Sequence, residues 1–242
     1  MKVDSQRIIL ETLDSFQTSA EQLEKFKQIN SYIDVELYKN LHKDFLVPTD
    51  IKIDIKNFIE EVQRYTDNFQ QWGTQHVDIP RFGLALVNQD GILKDNDPIN
   101  GSLHEWNKIY PHNPIIETDC QNPTEVMLMN SLKPIRVFDN HWCRSNILKW
   151  HKGAHFKPHI DTVLPSPWLR FWATTDADNF CIRYDCGDGR LQEFKNLETG
   201  RLYLIDTSLV HDALSYSDNN YQLFLSVLPS SINILKEHLC LV

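Results

Sequence analysis

The residues with the clearest chemistry lie in Trp150-His-Lys-Gly-Ala-His-Phe-Lys-Pro-His-Ile-Asp161. His151, His155 and His159 recur there at four-residue intervals. On a helix they would form a metal-binding face, but Gly153 and Pro158 oppose a helix at this point. On a strand, His159 and Asp161 stand two apart and share one face. An imidazole and a carboxylate so placed can grip one metal ion, and a third ligand must come from elsewhere. His211 is the natural candidate. It follows the glycine-led segment Gly200-Arg-Leu-Tyr-Leu-Ile-Asp206 and stands 52 residues after His159.

Two imidazoles and one carboxylate on one side of a metal leave the opposite positions open. Water, a cosubstrate or dioxygen can fill them, as in the facial triad of non-haem iron(II) oxygenases. Gly153, Phe156, His159 and Asp161 also spell G-x-x-F-x-x-H-x-D. That pattern resembles the first metal-binding motif of the 2-oxoglutarate- and iron(II)-dependent oxygenases. Gly200 through His211 resembles the second. Leu169-Arg-Phe-Trp-Ala173 extends the likeness, which is greatest to the aspartyl/asparaginyl β-hydroxylases and their proline 3-hydroxylase relatives. It spans about residues 145–228.

The resemblance implies a double-stranded β-helix, a jelly-roll barrel like that of the cupins. It implies that His159, Asp161 and His211 hold Fe(II), that 2-oxoglutarate chelates the metal, and that dioxygen is consumed. Decarboxylation to succinate and carbon dioxide would accompany hydroxylation of an unactivated C–H bond. The substrate would be an amino acid, a peptide or protein side chain, or a small metabolite. Arg170 would contact the cosubstrate carboxylate, and Trp150 would line its pocket. From the residues alone, Arg170 shares one strand face with Trp168 and Trp172 and offers either a bidentate fork or an ordinary salt bridge. Trp150 is either a hydrogen-bond donor or simply core.

One departure stands out. The family carries Arg or Lys about ten residues after the second histidine, whereas Asp218-Asn-Asn-Tyr-Gln-Leu223 has no basic residue. Arg170, Arg183 or another basic residue must then take the distal carboxylate. Otherwise the chain is a metal- or ligand-binding module without turnover, or a cupin-type metalloprotein that does not use 2-oxoglutarate. Asp212 follows His211, but strand parity points it away from the metal.

The elements that must position these groups can be read from patterning. Candidate strands from the middle of the chain onward are Ile135–Phe138, Ser145–His151, His155–Asp161, Trp168–Thr174, Phe180–Tyr184, Leu191–Phe194, Arg201–Asp206, His211–Ser215 and Tyr221–Leu228. Short strands at close spacing indicate a sandwich or small barrel. Residues 1–75 read as mostly helical. Ile8, Ile9, Leu13 and Phe16 start one stripe, and Leu23, Phe26 and Ile29 continue it. Ile55, Phe58, Ile59, Val62 and Tyr65 form another, with the break near Val47–Asp50 and its Pro48 between them. Arg81–Asn88 reads as a strand closed by the turn Asn88-Gln-Asp-Gly91. Residues 94–133 are irregular, as a substrate-side lid or a solvated connection would be.

The expected organisation is one oxygenase-like domain over 1–242. It divides into a helical N-terminal layer (1–75), an irregular wall (76–134) and a jelly-roll core (135–230), a mainly β fold. The chain carries 24 basic and 33 acidic residues, a formal charge of −9, which disfavours nucleic-acid partners. Five cysteines without a secretory signal fit reduced thiols and a cytoplasmic setting. No apolar run approaches the length that spans a bilayer.

Overall fold

Side-chain alternation along the strands decides how this chain winds. The computed structural model describes residues 2–9, 31–72 and 81–240. Leu13, Phe16, Leu23, Phe26 and Ile29 lie outside the described residues. The strands are β1 (Leu46–Lys52), β2 (Gln70–Gln71), β3 (Phe82–Asn88), β4 (Asn122–Pro123), β5 (Trp142–Trp150), β6 (His155–His159), β7 (Leu169–Thr174), β8 (Phe180–Asp185), β9 (Leu191–Glu193), β10 (Arg201–Ile205), β11 (His211–Ser215) and β12 (Asn220–Val227). Residues 5–9 are helical, and from residue 31 onward the described α-helices are α1 (Val35–Leu41), α2 (Ile55–Val62), α3 (Leu103–Ile109) and α4 (Ile232–His238).

A large antiparallel sheet runs β1-β10-β7-β12-β5-β3-β2, with β4 on β3, and a small one runs β6-β11-β8-β9. From β5 to β8 each successive strand changes sheet, and β10 to β12 repeat the alternation. That winding is the jelly roll. Leu148, Trp150, Trp172, Tyr203 and Ile205 of the large sheet meet Phe180, Ile182 and Ala213 of the small one in an inner core. The intervening residues of the large sheet point outward. Ile147, Leu169, Phe171, Leu223 and Leu225 join Phe58 and Val62 of α2 and Leu235 of α4 in an outer core. The central strands β5, β7 and β12 are thus buried on both faces, with polar residues interspersed among the apolar ones.

Two expectations need correction. The break at Val47–Asp50 does separate two helices, α1 and α2, but it is itself part of a strand, so the region is not helical throughout. Pro48 is tolerated because β1 is an edge strand of the large sheet: its carbonyl faces outward, accepting the Cys240 N–H at 2.9 Å, so the missing N–H lies on that outer side and not in the ladder with β10. The N-terminal third is therefore a mixture of strand and helix. Asp54 caps α2 by accepting the Asn57 N–H at 3.2 Å, and α2 stops at Val62, leaving Tyr65 in a 3-10 turn over Gln63–Asn68. The second correction concerns Ile135–Phe138, which belongs to a 3-10 segment over Asn130–Phe138 containing Pro134. Leu132, Ile135 and Phe138 recur every third residue and are fully buried, the period of a 3-10 helix. The other strands begin and end within one to three residues of their expected limits. Residues 94–133 form 3-10 turns, the short strand β4 and α3.

Candidate metal centre

Gly153 turns the chain into β6, which carries His159, and Gly200 turns it into β10, the strand before the one that carries His211. Gly153 has φ 84°, a left-handed turn leading into β6, and its N–H donates to the Ser215 carbonyl at 2.8 Å. Gly200 has φ 76°, and a Cβ there would come within 2.8 Å of the Ile53 carbonyl. Beyond those turns, β6 and β11 pair so that His159 and His211 are directly opposite. The 52-residue separation in sequence closes to 4.3 Å between ring centroids. β6 ends at His159, so Asp161 sits just past the strand. The Asp161 and Thr162 N–H groups donate to the Thr207 carbonyl at 3.0 and 3.1 Å. The Thr162 and Thr207 hydroxyls also bond at 2.7 Å. The loop entering β11 therefore holds the carboxylate in place.

The ligand atoms of His159, Asp161 and His211 all lie within 4.8 Å of one another. His159 Nε2 is 3.3 Å from Asp161 Oδ1, and His211 Nε2 is 3.9 Å from Oδ2. On the far side of each ring, His159 Nδ1 meets the Lys157 carbonyl at 2.6 Å and His211 Nδ1 the Leu209 carbonyl at 2.9 Å. A carbonyl oxygen only accepts, so in the neutral rings both protons sit on Nδ1 and both Nε2 lone pairs face the carboxylate. His159 Nε2 is buried with no hydrogen-bond partner. Three acceptors converge on one point, an arrangement that a cation reconciles.

The electrostatics agree. Burial, then the neighbouring His159, pushes His211 down to about 4, so its ring is neutral at physiological pH. Burial would raise Asp161, but the two histidines and Arg170 outweigh it and hold the carboxyl well below the usual range. A neutral imidazole and an ionised carboxylate are the ligand forms a divalent metal needs. The donor set, two imidazole nitrogens and one carboxylate oxygen, fits Fe(II).

No family model matches the sequence, and no curated protein matches it. Among solved structures, the chain is similar to a 2OG-Fe(II) oxygenase family oxidoreductase from Burkholderia pseudomallei. Identity is 10%, coverage is 70% of this chain and 77% of that one, and the TM-score is 0.39. It is also similar to a prolyl-4-hydroxylase from Pseudomonas putida, with 8% identity, 80% and 96% coverage and a TM-score of 0.43. An RmlC-like cupin from Shewanella frigidimarina shows 15% identity, 38% and 73% coverage and a TM-score of 0.25. With identities and scores this low, function rests on the site itself.

The two residues assigned to a cosubstrate both reach the barrel interior. Arg170 and Trp172 lie on the β7 face opposite the outward Leu169, Phe171 and Ala173. Arg170 Nη2 is 3.6 Å from Glu117 Oε1, and Arg144 Nη1 is 3.7 Å from the same oxygen. Glu117 comes from the irregular segment, so that segment packs against the Arg170 and Arg144 side chains of the large sheet. Trp150 is fully buried, with its indole N–H unpartnered.

Other candidates are engaged elsewhere. Arg183 donates its Nε to Asp212 at 2.8 Å and its Nη2 to the same carboxylate. His155 reaches Asp212 at 3.2 Å, so Asp212 points away from the His159–Asp161–His211 cluster. Arg201 binds Glu198 at 3.0 Å and the Thr49 carbonyl at 2.6 Å. His151 faces Asp218 at 3.4 Å. Sequence reasoning missed Glu117 and Arg81. Neither stands in a motif, and only folding brings them to the barrel.

Proposed function

We propose that this chain is an Fe(II)- and 2-oxoglutarate-dependent dioxygenase. In this proposal it hydroxylates an unactivated C–H bond of an amino acid, a peptide or protein side chain, or a small metabolite. The observation that carries it is the convergence of the His159, Asp161 and His211 ligand atoms within 4.8 Å at the mouth of a jelly roll. The bound metal would supply a point where dioxygen and the oxo acid meet. The chain's own residues do the rest. Lys157 and Leu209 carbonyls fix both imidazole tautomers, and Thr207 orients the carboxylate. Trp150, Trp172, Phe180 and Tyr203 line an aromatic interior that keeps water from the reacting centre. Arg170 offers positive charge on the cavity wall, shared with Glu117. The domain is read as one unit over 1–242, with residues 94–133 shaping substrate choice.

Anaerobic titration of the Fe(II)-loaded protein with 2-oxoglutarate tests this reading. A visible metal-to-ligand band is expected, followed by succinate release once air is admitted. Bound iron with neither band nor succinate rejects it. Arg170→Ala is expected to weaken 2-oxoglutarate binding at least about tenfold while iron binding holds. Equal affinity in parent and variant would remove Arg170 from the site.

A second reading is a cupin-type metal- or ligand-binding protein that does not use 2-oxoglutarate. One observation favours it: β12 carries no basic residue, and its inward residue Gln222 is neutral. The same titration separates the two. Among the described residues, no helix is long and apolar enough to cross a membrane.

A further inference from the structure

Arg81 directly precedes β3, and its carbonyl accepts the Trp72 N–H at 2.7 Å. Its guanidinium lies 3.8 Å from the Phe156 ring centroid and 5.0 Å from that of Trp150. Phe156 in turn lies 3.7 Å from the His159 ring. A single aromatic ring therefore separates this cation from a metal ligand. Arg81 is only 5% exposed, and its Nε and Nη1 have no hydrogen-bond partner among the described residues.

The contrast with the other enclosed arginines is sharp. Arg144 and Arg170 share Glu117, Arg183 holds Asp212, and Arg201 holds Glu198. Arg81 has aromatic faces instead of a carboxylate. Burial pushes its pKa down to about 10, with only the charge of Asp161 opposing the fall. A guanidinium withdrawn from water with two donor positions unfilled is costly unless an anion meets it. Its flat fork, fixed between two rings, suits a carboxylate taken by parallel hydrogen bonds.

We propose that Arg81 anchors a carboxylate of a ligand bound beside the His159–Asp161–His211 centre. The basic residue missing from β12 is thereby supplied by the residue that leads into β3. Two molecules could bring that carboxylate: the oxo acid through its distal end, or the molecule to be oxidised, with Arg170 then left to the oxo acid. The identity of the oxo acid rests on the function proposed above; the anion site does not.

The test uses the full chain with Arg81→Met, which keeps length and stacking but removes charge, and Arg81→Lys, which keeps charge but loses the fork. Mn(II) binding is measured first and is expected to be equal within about twofold in all three. Fe(II)-loaded protein is then titrated without oxygen, once with 2-oxoglutarate and once with 2-oxobutanoate, which lacks the distal carboxylate. If the oxo acid is the source, the parent prefers 2-oxoglutarate by at least about tenfold, R81M loses that preference, and R81K lies between. If the other molecule is the source, the preference survives in R81M. Propionate added to the oxo acid complex then shifts tryptophan emission in the parent and not in R81M. Either result supports the anchor.

A variant that alters neither response overturns it, and a lowered melting temperature with unchanged ligand binding makes Arg81 a packing residue. Metal binding without oxo acid binding in the parent would defeat the oxygenase reading alone. Propionate added to the metal-loaded protein would then decide Arg81. Should R81M not fold, R81K carries both measurements.

Discussion

On the outer face of the large sheet, Ile147, Leu169, Phe171, Ala173, Leu223 and Leu225 are fully buried and carry no polar side-chain atom. On the inner face, alternate residues of the same strands include Asn146, Trp150, Arg170, Trp172, Gln222 and Ser226. Each has a buried polar atom without a partner among the described residues. One face thus follows the rule that buried polar groups are satisfied, and the other breaks it at position after position. Strands that stabilise a fold on one side can hold a cavity on the other, because side chains alternate. Unpaired polar atoms there cost stability, a cost characteristic of sites that await a ligand.

That contrast can be broken by mutation, most severely on the outer face. Phe171 packs against Phe138 with centroids 5.0 Å apart. Phe171→Ala is expected to cost about 3–5 kcal/mol in denaturant unfolding, with metal affinity of the folded fraction unchanged. A loss under about 1 kcal/mol would show that the outer core does not carry the fold. At the metal centre the pattern should invert. His159→Ala or Asp161→Ala is expected to lower metal affinity by at least about a hundredfold while metal-free stability moves by less than about 1 kcal/mol. Global unfolding of either variant would make the triad structural.

A middle-sized effect belongs to Glu61 on α2. It accepts Ser131 N–H at 3.0 Å, Ser131 O–H at 2.6 Å and Asn130 N–H at 3.1 Å, tying the 3-10 segment over Asn130–Phe138 to the outer layer. Burial pushes its pKa up, but those bonds outweigh it and hold Glu61 below its ordinary 4.5. The lowered value means that the unfolded chain binds the proton more readily. The stabilisation is therefore complete above about 4.5 and lost as pH falls below it. Glu61→Gln should cost about 1–3 kcal/mol at neutral pH and flatten that acid limb, as melting at several pH values would show. The smallest change is expected at Asn146, whose Nδ2 is unpartnered. Asn146→Leu should raise ligand-free stability by up to about 1 kcal/mol. Destabilisation of that size would mean the inner polar face supports the fold after all.

Much of the architecture was legible in the chain. Strands β5 to β12 announced themselves by β-branched and aromatic runs between turns. The H-x-D pair and the later histidine pointed to the cluster of His159, Asp161 and His211 that could hold a metal ion. What misled was local. Pro48 reads as a breaker, yet an edge strand accommodates it because its missing N–H faces away from the ladder with β10. Ile135–Phe138 reads as a strand, but Leu132, Ile135 and Phe138 keep a period of three around Pro134.

The sequence by itself determined which side chains could bind a metal, but not how Asp161 is held: its spacing puts it on one strand face with His159, whereas β6 ends at His159 and the Thr207 carbonyl fixes Asp161 instead. The sequence could not determine that His211 would lie opposite His159, since register depends on how β6 and β11 pair. Nor could it show that Glu117 would occupy two arginines or that Arg81 would be left with none. Those facts depend on burial and on neighbours distant in the chain. Only tertiary structure decides them, because the worth of a charge is set by what surrounds it.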